Sequence, residues 1–88
     1  MLSIKVLGPG CARCERLEQY AEEALAEIVA ERPDVTATLE KITDTAQFIH
    51  YGVLTTPGLV INEKLVSSGK IAAREEIVGW LRDALKEG

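Results

Sequence analysis

Leu2, Ile4 and Val6 alternate with Ser3 and Lys5, the alternation stops at Gly8-Pro9-Gly10, and the apolar residues that follow recur at intervals of three and four. A change of period from two to 3.6 across one Gly-Pro-Gly turn predicts a strand running directly into an amphipathic helix. That helix extends from Cys11 to about Glu31. Cys14, Leu17, Ala21, Ala24, Leu25 and Ile28 lie on its apolar face, and Glu15, Glu18, Glu22, Glu23, Glu27 and Glu31 lie mostly on the other. Arg32-Pro33-Asp34 ends it, because proline cannot continue a helix and restricts the residue before it. Alternation resumes over Val35-Thr36-Ala37-Thr38-Leu39-Glu40, a strand suited to a sheet edge. A strand, a helix and a strand in one sheet require a parallel pair joined by a right-handed crossover, and this constrains everything downstream.

Asp44 with Gln47 three residues later resembles a capping box and opens a short helix to about Tyr51, which Gly52 closes. Thr55-Thr56-Pro57-Gly58 leads into the apolar Leu59-Val60-Ile61, and Asn62-Glu63 separates it from Lys64 to Ser67, the pattern of a hairpin. Glu63 stands where glycine would accept a positive φ more cheaply. Ile77, Val78, Leu81, Ala84 and Leu85 form the apolar face of a last helix from about Ala73, with Trp80 at its border and Gly79 inside it. The expected fold is α/β, in the order β-α-β-α-β-β-α: a four-stranded mixed sheet flanked by helices.

The 88 residues suit one domain, residues 1–88. A net charge of −4 with scattered basic residues gives no footprint for a phosphate backbone, so nucleic acid is not an expected partner. No apolar run is long enough to span a bilayer, and the N-terminal segment is too short and interrupted for a signal peptide, so no membrane association and a cytoplasmic address are expected. A monomer is expected.

The only two cysteines are Cys11 and Cys14 of Cys11-Ala12-Arg13-Cys14. Residues three apart on a helix share a face at about 5–6 Å, within the Cα separation a disulfide needs. A cysteine at a helix start meets unpaired N–H groups and the positive end of the macrodipole, which favours thiolate. In a reducing compartment such a pair suits redox exchange or metal binding better than a structural bridge. A structural zinc site wants four ligands, and Cys11, Cys14 and an exposed His50 do not supply them within one chain. A dimer pooling two pairs would.

Gly10-Cys11-Ala12-Arg13-Cys14 after a strand, with Thr56-Pro57 at the start of the hairpin, resembles the minimal thioredoxin fold, in particular the small glutaredoxin-like thioredoxins known as redox-active-disulfide proteins. Ile4-Lys5-Val6-Leu7-Gly8, Tyr51-Gly52-Val53, Leu59-Val60-Ile61-Asn62 and Gly69 extend the resemblance over nearly the whole chain. The resemblance implies a thiol–disulfide oxidoreductase without a cofactor, acting on disulfide-containing proteins or small disulfides and recharged by an upstream reductase. Cys11 is then the attacking thiolate and Cys14 the resolving thiol. Pro57 is implied to be cis against the disulfide, with Gly10, Thr56, Pro57 and Gly69 contacting substrate and Ala12 and Arg13 tuning the pair. The chain departs from the usual thioredoxin pattern at Gly10, Ala12, Arg13 and Lys5, the last at the place of a buried aspartate. Ser67-Ser68-Gly69 departs from the glutaredoxin glutathione site. The alternative is a metal- or metalloid-binding or redox-sensing module built on the same two cysteines.

Overall fold

The computed structural model describes residues 2–10 and 12–87. Its elements are β1 (Leu2–Leu7), α1 (Ala12–Glu31), β2 (Ala37–Ile42), α2 (Thr45–Tyr51), β3 (Gly58–Ile61), β4 (Lys64–Ser68) and α3 (Arg74–Glu87). The element order read from the sequence is the order observed. The strands form one sheet in the spatial order β2-β1-β3-β4. β1 runs parallel to β2, and β1–β3 and β3–β4 are antiparallel.

Central placement of β1 explains its pattern. Leu2, Ile4 and Val6 face one side of the sheet, where they join Leu59 and Ile61 of β3, Leu17, Ala21, Ala24 and Ile28 of α1, and Ile77, Val78 and Leu81 of α3. Leu7 and Val60 face the other side and meet Phe48 of α2 and Val53. Each buried side chain of this kind stabilises by about 1.5–3 kcal/mol, so the α1/α3 face carries most of the core. The smaller cluster supplies the apolar contacts of α2. β3, covered on both faces, is buried throughout, which is why it reads as an unbroken apolar run.

The second strand begins at Ala37, two residues later than its alternation suggests, and continues to Ile42. Its limits follow its partner: Leu2, the first residue of β1, lies opposite Ala37 and donates its N–H to the Thr36 carbonyl at 2.8 Å. In the β3–β4 turn, Asn62 and Glu63 have φ of 50° and 68°, the left-handed pair that a two-residue hairpin needs. Asn62 is stitched to β1, donating its N–H to the Ser3 carbonyl at 2.8 Å and accepting the Ser3 N–H on Oδ1 at 2.9 Å. Val66 is an extra residue between the Val60–Leu65 and Leu59–Ser67 pairs, a bulge in β4. Asp44 caps α2 through Oδ1, which accepts the Ala46 N–H at 2.9 Å, and Gly52 closes it at φ 80°. The Gln47 side chain makes no return bond to a described residue, so the cap is one-sided.

No helix among the described residues is long and apolar enough to cross a membrane. Gly79 is exposed in the middle of α3, and a Cβ added there would meet nothing within 4 Å. Gly79→Ala is therefore expected to stabilise the fold by about 1 kcal/mol. A thermal unfolding midpoint about 4–8 °C higher would register that gain.

Candidate active site

The end of β1 delivers the chain through Gly8-Pro9-Gly10 to the start of α1, and Gly10 takes φ 93° to make the corner. Cys11 lies outside the described residues. Cys14 is in the first turn of α1 and is fully buried on the helix face that meets the sheet. The reason it can sit so close to the sheet is Gly8. A Cβ on Gly8 would run into the Cys14 Sγ, lie 3.0 Å from the Cys14 Cβ and come within 3.9 Å of the Pro57 Cβ. The bare Cα of Gly8 is thus the floor on which the sulfur rests, and Pro57 closes the same spot from the β3 side.

Pro57 is buried and follows a cis peptide bond from Thr56. The segment before it is tied to the loop after β4. Gly69 donates its N–H to the Pro57 carbonyl at 2.9 Å, and Ser68 Oγ donates to the Thr55 carbonyl at 2.9 Å. Gly69 has φ 80°, and a Cβ there would lie 3.0 Å from Thr55 Cγ2. Arg13 completes the assembly from α1, donating from Nη2 to the Gly69 carbonyl at 3.1 Å. Three segments distant in sequence, the start of α1, Thr55–Pro57 and Ser68-Gly69, therefore form one hydrogen-bonded rim. Of the residues singled out from sequence, Arg13, Cys14, Pro57 and Gly69 come together, while Ala12 is exposed in the first turn of α1 and Thr56 is half-buried beside Pro57. Gly8, Thr55 and Ser68 were missed as site residues. The doubled glycine of Gly8-Pro9-Gly10 was the available signal for a close backbone approach at Gly8.

Lys5 stands on the central strand but does not serve this rim. Its Nζ donates to Tyr51 Oη and to Glu63 Oε1, both at 2.6 Å, and Tyr51 Oη donates to Glu63 Oε2 at 2.6 Å. Glu63 is in the turn beyond Ile61, which pairs with Ile4, whereas the site lies at the Leu7–Gly58 end of the same ladder. The side chain is thus drawn to the opposite end of the sheet from Cys14. The bond to Glu63, then that to Tyr51, raises the Lys5 ammonium well above the ordinary lysine value, and the bonds from Lys5 and Tyr51 lower the Glu63 carboxyl below its usual 4.5. His50 is exposed on α2 with its ring edge against Tyr51, at 5.0 Å between centroids. Among the described residues no three of His, Cys, Asp and Glu converge as a metal site would require.

Residues 2–82 match the family model described as Thioredoxin domain. The chain is 36% identical over 77 residues to a protein named Thioredoxin from Methanothermobacter thermautotrophicus, covering 88% of this chain and 94% of that relative. It is 29% identical over 86 residues to a protein named Thioredoxin from Methanocaldococcus jannaschii, covering 98% of this chain and 93% of the relative.

Two outcomes test the site's construction. Gly8→Ala is expected to push Cys14 off the sheet and to cost about 1–3 kcal/mol through overpacking, measured as a lower urea midpoint together with loss of disulfide exchange. The depressed Glu63 carboxyl contributes stability that is present above pH 4.5 and lost as pH falls through its lowered folded value. The raised Lys5 contributes stability present below its ordinary 10.5 and lost as pH rises past it. The stability difference between the wild type and Glu63→Gln should therefore be flat between about pH 5 and 9 and narrow at acid pH, and salt should reduce it because Glu63 is 59% exposed.

Proposed function

The chain belongs to the thioredoxin family, and from that premise we propose that it is a thiol–disulfide oxidoreductase working through Cys11 and Cys14. The observation that carries the reading is the convergence of Cys14, Gly8 and cis Pro57 at the end of β1. Cys11 thiolate attacks a substrate disulfide, forming a mixed disulfide and releasing one substrate thiolate, which takes up a proton. Cys14 then loses its proton and attacks the Cys11 sulfur, forming the Cys11–Cys14 disulfide and releasing the second substrate thiol. Two electrons and two protons pass to the substrate. An external dithiol reductase must return them.

The unequal roles have a physical basis. Cys14 has no exposed surface, so a bulky external disulfide cannot approach its sulfur, and its partner in exchange is the sulfur of Cys11, three residues away in the sequence, once Cys11 is held in the mixed disulfide. Thr56, half-buried before Pro57, offers backbone groups to an extended substrate segment. Leu54, 95% exposed just upstream, offers an apolar contact next to it. Both features suit polypeptide substrates, and in a reducing compartment such as the cytoplasm the favoured direction is reduction.

Reduction of insulin by dithiothreitol, followed as turbidity, tests the reading. Cys11→Ser should abolish the acceleration, and Cys14→Ser should accumulate a mixed disulfide visible by mass spectrometry under non-reducing conditions. Undiminished activity in Cys11→Ser would overturn it.

A further inference from the structure

We propose that the substrate segment carries an acidic side chain close to its reacting cysteine, and that this side chain is held by a line of arginines beside the CxxC motif. The inference rests on the oxidoreductase reading above and names the substrate chemistry it favours. An open groove of about 660 Å³ runs between α1 and the start of α3, lined by Arg16, Tyr20 and Glu23 on one side and Ile71, Arg74 and Glu75 on the other. Arg13 is one helical turn before Arg16 on the same stripe of α1, and its bond to Gly69 places it at the groove's CxxC end. That bond uses one of the five N–H donors of a guanidinium. The remaining donors are exposed and already oriented, so a carboxylate meets them without first ordering a long side chain.

Arg16 is exposed and has no ion pair or hydrogen bond with any described residue. Among the described residues Arg74 pairs only with its exposed neighbour Glu75, at 3.9 Å. The groove's other acid, Glu23, is seven residues beyond Arg16, about 10 Å along the helix axis. Along the α1 side of the groove, positive charge at Arg13 and Arg16 therefore stands toward Cys14 and the negative charge of Glu23 at the far end, while on the α3 side Arg74 is offset by Glu75. Tyr20 and Ile71, both half-buried, supply apolar floor between them. A segment with an acid beside its cysteine is matched along this line, and one with a base there is opposed.

Disulfide-linked peptide dimers with Glu, Gln or Lys flanking the cysteine provide the test. The second-order rate of oxidation of the reduced protein is divided by each peptide's rate with dithiothreitol, which removes the effect of the flanking charge on the leaving thiol. At low salt the Glu peptide should react about fivefold faster than the Gln peptide, and the Lys peptide about fivefold slower, differences that collapse at high salt. Arg16→Glu combined with Arg74→Glu should reverse the order and make the Lys peptide the fastest, a gain that damage to the fold would not produce. An unchanged order in that variant, an equal fall for all three peptides, or an effect confined to oxidised glutathione would overturn the proposal. No exchange with any peptide would overturn the oxidoreductase reading itself.

Discussion

The contact between the Cys14 sulfur and the bare Cα of Gly8 is the constraint on which the rest of the site depends. Any side chain at residue 8 would occupy the place of the sulfur, so α1 could not enter the sheet at this height with Cys14 turned inward. Gly8 is fixed in turn by β1, since it follows Leu7 directly and donates its N–H to the Ile42 carbonyl at 2.9 Å. The sulfur's position is thereby inherited from the central strand. A loop-borne cysteine would have no such reference.

Pro57 is referred to the same strand from the other side. Gly58 pairs with Leu7, so the residue before it arrives beside Gly8 as a consequence of β1–β3 register. What register does not settle is the path of Thr55 and Thr56, and there the loop after β4 takes over through Gly69 and Ser68. Gly69 is placed to act as a hub: its N–H serves Pro57, its carbonyl serves Arg13, and its positive φ is what lets both groups face the rim. A residue with a Cβ at position 69 would meet strain from that φ and crowding from Thr55 together.

How much of this was legible in the sequence follows from the range of the interactions. Element order and the inward face of α1 are written in local periodicity, and both are found as read, while the unbroken apolar run Leu59-Val60-Ile61 is explained only by the burial of β3 on both faces. The bounds of β2 were not, because they are set by the length of β1 rather than by the alternation of Val35 to Glu40. Glu63 was visible as an awkward turn residue. Its compensation was invisible, since its partners Lys5 and Tyr51 are 58 and 12 residues away. The same distance hid the role of Lys5, which marks a departure from the thioredoxin pattern in sequence and proves to brace α2 and the hairpin turn instead of facing Cys14. Cys14, Arg13, Pro57 and Gly69 were found through motif. Gly8 lies beside that motif, and its function is legible only as a distance.

The three arginines that line the approach to Cys14, Arg13, Arg16 and Arg74, have the opposite sign to the chain as a whole. With 14 acidic and 10 basic residues the protein carries a net −4, so beyond a Debye length of about 8 Å at physiological salt a strongly acidic partner gains nothing from approaching it. Arg13, Arg16 and Arg74 act only inside that distance. Attraction therefore selects an acidic group placed next to the reacting cysteine and does not select partners of high overall negative charge. Any discrimination of this kind is exerted in the encounter complex, where orientation is being decided, and it would be felt in which cysteine of a partner is presented to Cys11 as much as in which partner is chosen.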